Sequence, residues 1–135
     1  MGGFKEGSLI GPAYKSEFLL AKTEIVAEEI QAEEDNFVAA LEWGEQNGAD
    51  IAVSSLGYSD WYEYEDMDGN TAVTTIAVDI AASLGVLCVN SAGNEGDDSW
   101  RYVCTPADAD SILSIGAVNR DGIIADFSSR GPTYD

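Results

Sequence analysis

Apolar positions recur along the chain in two rhythms, and their succession lays out the elements. Glu17-Phe18-Leu19-Leu20-Ala21-Lys22-Thr23 is a short mixed apolar run of the kind that forms a buried strand. In the next twelve residues, Glu24 to Asp35, six are acidic, which reads as a solvated loop or helix start without a metal-ligand spacing. Phe37, Val38, Leu41 and Trp43 then give a helix over 36–47 an inward face. Asp35 or Asn36 can cap that helix, and Asn47-Gly48 supplies its stop.

Ile51-Ala52-Val53-Ser54 predicts a short strand that ends in the turn-prone Ser55-Leu56-Gly57. An aromatic and acidic insertion follows, Tyr58 to Asn70. Its Asp66-Met67-Asp68-Gly69-Asn70 departs from a calcium loop, because Gly69 stands fourth instead of sixth and Ala77 takes the place of the closing Glu. Val73, Ile76, Ala77, Ile80, Ala81 and Leu84 repeat at the spacing of one buried helix face, with Asn70 as cap and Gly85 as end. Val86-Leu87-Cys88-Val89 lacks alternation, as a central strand covered on both faces would. Ile112 to Val118 predicts a further strand, and Asn119-Arg120-Asp121-Gly122 a turn into the hairpin partner Ile123-Ile124-Ala125. Strand, helix, strand in this order predicts an α/β fold: a mainly parallel sheet with helices on both faces.

Composition narrows the function. The 135 residues, 45% hydrophobic and 23% charged, suffice for one globular core, and no linker or repeat divides them. Six Lys+Arg against 25 Asp+Glu give a net charge of −19, which repels nucleic acid and anionic membranes. The chain has no histidine, so the commonest general base and the commonest transition-metal ligand are missing. Cys88 and Cys104 fit neither a zinc spacing nor a disulfide framework. No apolar run approaches the ~20 residues of a membrane span, and Met1-Gly2-Gly3-Phe4-Lys5-Glu6 lacks the pattern of a signal peptide.

In a parallel α/β sheet, ligands gather beyond the carboxyl ends of the strands. Two segments lie there: Ser54-Ser55-Leu56-Gly57 and Asn90-Ser91-Ala92-Gly93-Asn94-Glu95-Gly96. An Asn beside glycines at a strand end suits an oxyanion pocket, since the amide donates and the glycines remove bulk. The same composition also makes ordinary turns.

These strings, followed by Thr105-Pro106-Ala107 and Phe127-Ser128-Ser129-Arg130-Gly131-Pro132, resemble in this order the middle portion of the subtilisin-like serine proteases. The resemblance runs from about Gly11 to Tyr134 and rests most on AGNEG, PADADSILSIGAV and FSSRGP at family spacing. It implies a partial subtilisin-like fold and a polypeptide substrate, with no cofactor, and it places the parent protein outside the cell. Asn94 matches the oxyanion-hole asparagine. Ser55, Leu56 and Gly57 match the segment that pairs with substrate backbone and walls the primary specificity pocket. Ser91, Ala92 and Gly93 match the opposite wall. Glu95 falls at the rim of that pocket, where an acid favours basic side chains, and Cys104 falls at its floor. Thr105-Pro106 resembles a position where the family has a cis peptide.

The departures are as informative. The family's Asp-Thr-Gly, His-Gly-Thr and Gly-Thr-Ser-Met-Ala motifs are absent, so no catalytic triad can be assembled, and Ser54, Ser83 and Ser128 read as structural. The expectation is a central segment, 1–135, of a serine endopeptidase domain, inactive alone and prone to self-association through uncovered sheet. The alternative is a stand-alone peptide-binding or scaffold module of the same descent, holding extended peptides by strand addition. A nucleotide-binding domain is disfavoured because no phosphate-loop spacing follows any strand.

Overall fold

The computed structural model describes all of residues 1–135. Three parallel strands, β3 (Ile51–Ser54), β4 (Leu87–Ser91) and β5 (Leu113–Ile115), form its main sheet in that spatial order, with β4 central. Register pairs Ala52 with Cys88 and Ser54 with Asn90, so these four share one face. Helices α1 (Ala32–Gln46) and α2 (Val73–Ser83) both pack on it. Phe37, Val78, Ala81, Val86 and Cys88 make the core there, with Leu41, Ala52 and Leu56 against its rim. Each large apolar side chain buried in this way contributes about 1.5–3 kcal/mol.

The α/β class and the parallel sheet are as the sequence predicts, but the helices occupy one face instead of two. Ile51, Val53, Leu87, Leu113 and Ile115 project from the other face and stay exposed. The unalternating run Val86–Val89 is apolar on both sides, yet only its Cys88 side meets a helix. A second expectation shifts in the same way. Helix α2 buries Thr74, Thr75, Val78 and Ala81, whereas Val73, Ile76, Ile80 and Leu84 are exposed. The two threonines turn inward because each hydroxyl finds a buried partner, which removes the cost of hiding it.

Helix α1 begins one turn before the predicted cap. Asn36 does not cap it; its amide donates to the Thr23 carbonyl. The earlier start follows from Glu33, whose carboxylate accepts the N–H groups of Ile25 and Ile30. Glu33, Glu34 and Asp35 in the first turn also suit the positive end of the helix dipole. The predicted stop holds: Gly48 has φ +80°, and its N–H closes on the Glu45 carbonyl. Helix α2 ends at Gly85 (φ +100°), but Asn70 is bound back to Asp68 instead of capping it.

Residues 17–23 form no strand. A groove of about 1040 Å³ lies between Phe18–Lys22 and β3, so no ladder connects them. Two short strands that the pattern did not predict, β1 (Phe4–Lys5) and β2 (Leu9–Ile10), pair antiparallel near the start. The last expected strand contracts to β5, and its hairpin partner to one bridge between Val118 and Ile124. No helix is long and apolar enough to cross a membrane.

Candidate functional site

Strands β3 and β4 run side by side and release their chains at the same edge, which places Ser55–Gly57 beside Ala92–Gly96. One buried side chain ties the two exits together. Asn90, 3% exposed, donates its amide to the Leu56 carbonyl at 3.0 Å and to the Ser91 carbonyl at 2.9 Å, while its oxygen accepts from the Ser54 hydroxyl. Leu56 turns into the core, and Ser55 and Gly57 are left exposed on either side.

Cys104 lies against both strand exits. A Cβ on Gly57 would stand 3.0 Å from the Cys104 Cβ, and one on Gly93 would stand 3.0 Å from its Sγ. Gly93, with φ +115° and a Cβ position 2.6 Å from the Ser129 Oγ, requires glycine, and a side chain at Gly57 would have to push Cys104 aside. Burial pushes the Cys104 thiol up to about 12, with the Glu95 charge adding to it. The thiol stays protonated near neutral pH and behaves as a small apolar side chain, not as a nucleophile. Cys88 and Cys104 are both free and buried.

Asn94 is exposed in the loop that leaves β4. Its flanks are fixed from three directions. Ala92 N–H donates to the Ile115 carbonyl at 2.9 Å, Glu95 N–H to the Ser129 hydroxyl at 3.0 Å, and Gly96 N–H to the Phe127 carbonyl at 2.9 Å. The Phe127–Pro132 string thus supports the Asn94 loop from behind. Ser128 is structural in the same sense, its hydroxyl accepting the Ala117 N–H at 3.0 Å. The Thr105–Pro106 peptide is cis.

A pocket of about 290 Å³ opens along Gly57–Trp61, with Glu29 and Glu95 completing its lining. The neighbouring Asp98 carboxyl, together with burial and the nearby Asp60 charge, raises Glu95 to about 7. Glu29 is raised by burial and by the charges of Glu33, Glu24 and Asp60. The sequence pattern pointed to Glu95 but missed Asp60, Trp61 and Glu29, because their convergence depends on how the insertion after β3 folds back.

The acidic segment is not simply solvated. Glu33 and Glu34 are 1% and 3% exposed, and oxygens of Glu24, Glu29 and Glu33 lie within 4.8 Å of one another. Hydrogen bonds account for the two buried members of that segment and for Glu24, which accepts from the Tyr58 hydroxyl at 2.9 Å.

The sequence model of the Subtilase family matches residues 2–135. Subtilisin DY of Bacillus licheniformis is 38% identical over 95 residues, which is 70% of this chain and 31% of that protein. Subtilisin-like protease 2 of Pseudogymnoascus destructans is 30% identical over 96% of this chain and 30% of its own length. Among solved structures, the prenylagaramide maturation protease PagA superposes with a TM-score of 0.59 at 27% identity, covering 79% of this chain and 36% of that one. The chain thus spans about a third of the length of the relatives it matches. With the strand-end loops, the Asn94 string and its support placed as described, this chain belongs to the subtilase family.

Proposed function

We propose that this chain is the central segment of a serine endopeptidase domain, supplying the oxyanion donor Asn94 and the walls and floor of the substrate pocket. The observation that carries the reading is the convergence of Gly57, Gly93 and Cys104 beside an exposed Asn94 whose loop is fixed on both flanks. Such a loop presents a preorganised amide where an acyl-transfer intermediate gathers negative charge. Ser55–Gly57, with alternate residues exposed, offers backbone to an extended peptide.

The proton shuttle and the nucleophile are not among these residues. The purified 135-residue chain is therefore expected to show no peptide hydrolysis, while the complete protein carrying it hydrolyses peptides and is stopped by a serine-directed inhibitor. Turnover by the chain alone would refute the assignment. The same material is expected to associate through its bare sheet face and the exposed stripe of α2. Added salt screens the charge of −19 and so should raise the mass seen by light scattering.

The adjoining 290 Å³ cavity, which shares Gly57 with those walls, adds a substrate class through its carboxylates. Glu95, Asp60 and Glu29 face one space with no basic residue in its lining, which favours a lysine or arginine side chain. A bare attraction of a few kcal/mol is reduced by solvent in an open pocket, leaving about 1.4 kcal/mol, or tenfold. Glu95→Gln in the complete protein is expected to lower kcat/KM for a lysine substrate about tenfold relative to a leucine one. Glu95 is ionised above about pH 7 and protonated below it, so the wild-type preference should strengthen as pH rises through that value. Equal preference in mutant and wild type would remove Glu95 from specificity.

A further inference from the structure

Two adjacent carboxylates are buried in the first turn of α1, and they are held differently. Glu33 is satisfied by backbone N–H groups of the segment just before the helix. Glu34 takes only side-chain donors, all from distant parts of the chain. Trp61 Nε1–H donates to it at 2.8 Å, the Tyr62 hydroxyl lies 2.9 and 3.0 Å from its two oxygens, and the Thr74 hydroxyl donates at 3.3 Å. Tyr62 is pushed up to about 12 by burial and by its bond to Glu34. A carboxylate hidden to 3% exposure would cost several kcal/mol without these charge-assisted bonds.

The donors connect Glu34 to the pocket along two routes. Trp61 is itself part of the cavity lining, and Tyr62 follows it in the chain, outside that lining. Thr74 passes the connection to Thr105, whose hydroxyl lies 2.7 Å from that of Thr74. The Thr105 carbonyl accepts the Tyr58 N–H at 2.9 Å, and Thr105 follows the floor residue Cys104. Both lining aromatics, Trp61 directly and Tyr58 through Thr105, are thus referred to one carboxylate that never touches the cavity.

We propose that Glu34 is the positioning residue of the substrate pocket: its buried carboxylate fixes the lining residues Tyr58 and Trp61 against the Cys104–Thr105 segment behind them and so sets the width of the opening. The proposal rests on the reading of that opening as the substrate site. Glutamine at position 34 keeps the volume but offers one acceptor oxygen where the carboxylate offers two. Trp61 Nε1–H can only donate and so takes that oxygen, which forces the Tyr62 and Thr74 hydroxyls to turn from donors into acceptors of the amide N–H groups; the charge-assisted bonds are lost, and the wall loosens.

The test uses the complete protein, labelled with 15N-tryptophan and 15N-glycine, as wild type, Glu34→Gln and Tyr62→Phe. Tyr62→Phe removes one donor without altering a lining residue, so it serves where Glu34→Gln fails to fold. The expected result is a displaced Trp61 indole N–H resonance, assigned by Trp61→Phe, and a displaced Gly57 amide. KM for a lysine substrate should rise about tenfold in Glu34→Gln and less in Tyr62→Phe, with kcat within twofold. Resonances and KM at their wild-type values would overturn the proposal. So would kcat and KM failing together with a lowered unfolding temperature in both variants, which marks a general structural role. If the wild type cleaves no peptide, the protease reading fails by itself. The Gly57 and Trp61 resonances then decide the positioning claim alone: moved, it stands; unmoved, it falls.

Discussion

Replacing Asn94 by alanine in the complete protein is expected to lower kcat about 10²–10³-fold while leaving KM within a factor of about three. The fall corresponds to about 2.7–4 kcal/mol of lost transition-state stabilisation, a magnitude established for the equivalent donor of a subtilisin and carried over from it. The direction follows from where the amide acts. A ground-state carbonyl oxygen carries little charge, so a donor aimed at the place where the oxyanion forms contributes chiefly after attack has begun. A group of that kind moves kcat and kcat/KM together. The structure separates this effect from unfolding. Asn94 is exposed, and the three backbone anchors around it belong to Ala92, Glu95 and Gly96, so the loop keeps its shape when the amide is removed. The unfolding free energy should therefore change by no more than about 0.5 kcal/mol. Asn94→Asp should impair kcat at least as much, because its carboxylate replaces attraction with repulsion at the same distance. Alanine at 94 with kcat within threefold of wild type would take the oxyanion role away from this residue.

How far the sequence could be read depended on whether an element is defined by its neighbours in the chain or by distant ones. Helix α1, strands β3 and β4 and the glycine stops at 48 and 85 follow from local spacing and turn chemistry. The buried face of α2 did not, because the helix is apolar almost all round. Periodicity then cannot choose between the Val73–Leu84 stripe and the Thr74–Ala81 stripe. Partners 30 residues away made the choice, since Thr75 is matched to Thr105 and Asp108. Glu33 and Glu34 were hidden in the same way. In a run of six acids nothing marks two as buried, and only the returning wall with Trp61 and Tyr62 explains Glu34. At the site, the expectations for Ser55–Gly57, Ser91–Gly93, Asn94, Glu95 and Cys104 rest on family resemblance and not on local spacing. The structure adds what resemblance leaves out: Asn90 as the clamp between the exits, and Asp60 and Glu29 as further acids of the pocket. Residues 17–23 show the opposite failure. They carry a strand-like pattern, but a strand also requires a neighbour within ladder distance, and the groove beside β3 denies them one.

Gly93→Ala is expected to destabilise the complete protein by about 2–6 kcal/mol, the largest loss at any single position of the pocket walls. Two costs combine there. Gly93 has φ +115°, a backbone region in which an L side chain costs about 1–3 kcal/mol. Its new Cβ would also lie 2.6 Å from the Ser129 Oγ and 3.0 Å from the Cys104 Sγ, an overpacking of about 1–3 kcal/mol. The Ser129 hydroxyl cannot retreat freely, because it accepts the Glu95 N–H, and the Ser129 N–H is held by the Gly93 carbonyl. Relief of the clash therefore displaces the loop that carries Asn94, and kcat should fall along with stability. A double-mutant cycle separates the two costs. Ser129→Ala alone loses one hydrogen bond, about 1 kcal/mol. Combined with Gly93→Ala, it removes the oxygen that the new Cβ strikes, so the double variant should be more stable than the sum of the single changes predicts by at least about 1 kcal/mol. Strict additivity, measured by denaturant unfolding, would leave backbone strain and the Cys104 contact as the whole cost. Wild-type stability in Gly93→Ala would mean that wall and floor are not as close as 3 Å contacts require, and with that the case for a preorganised pocket around Cys104 would go.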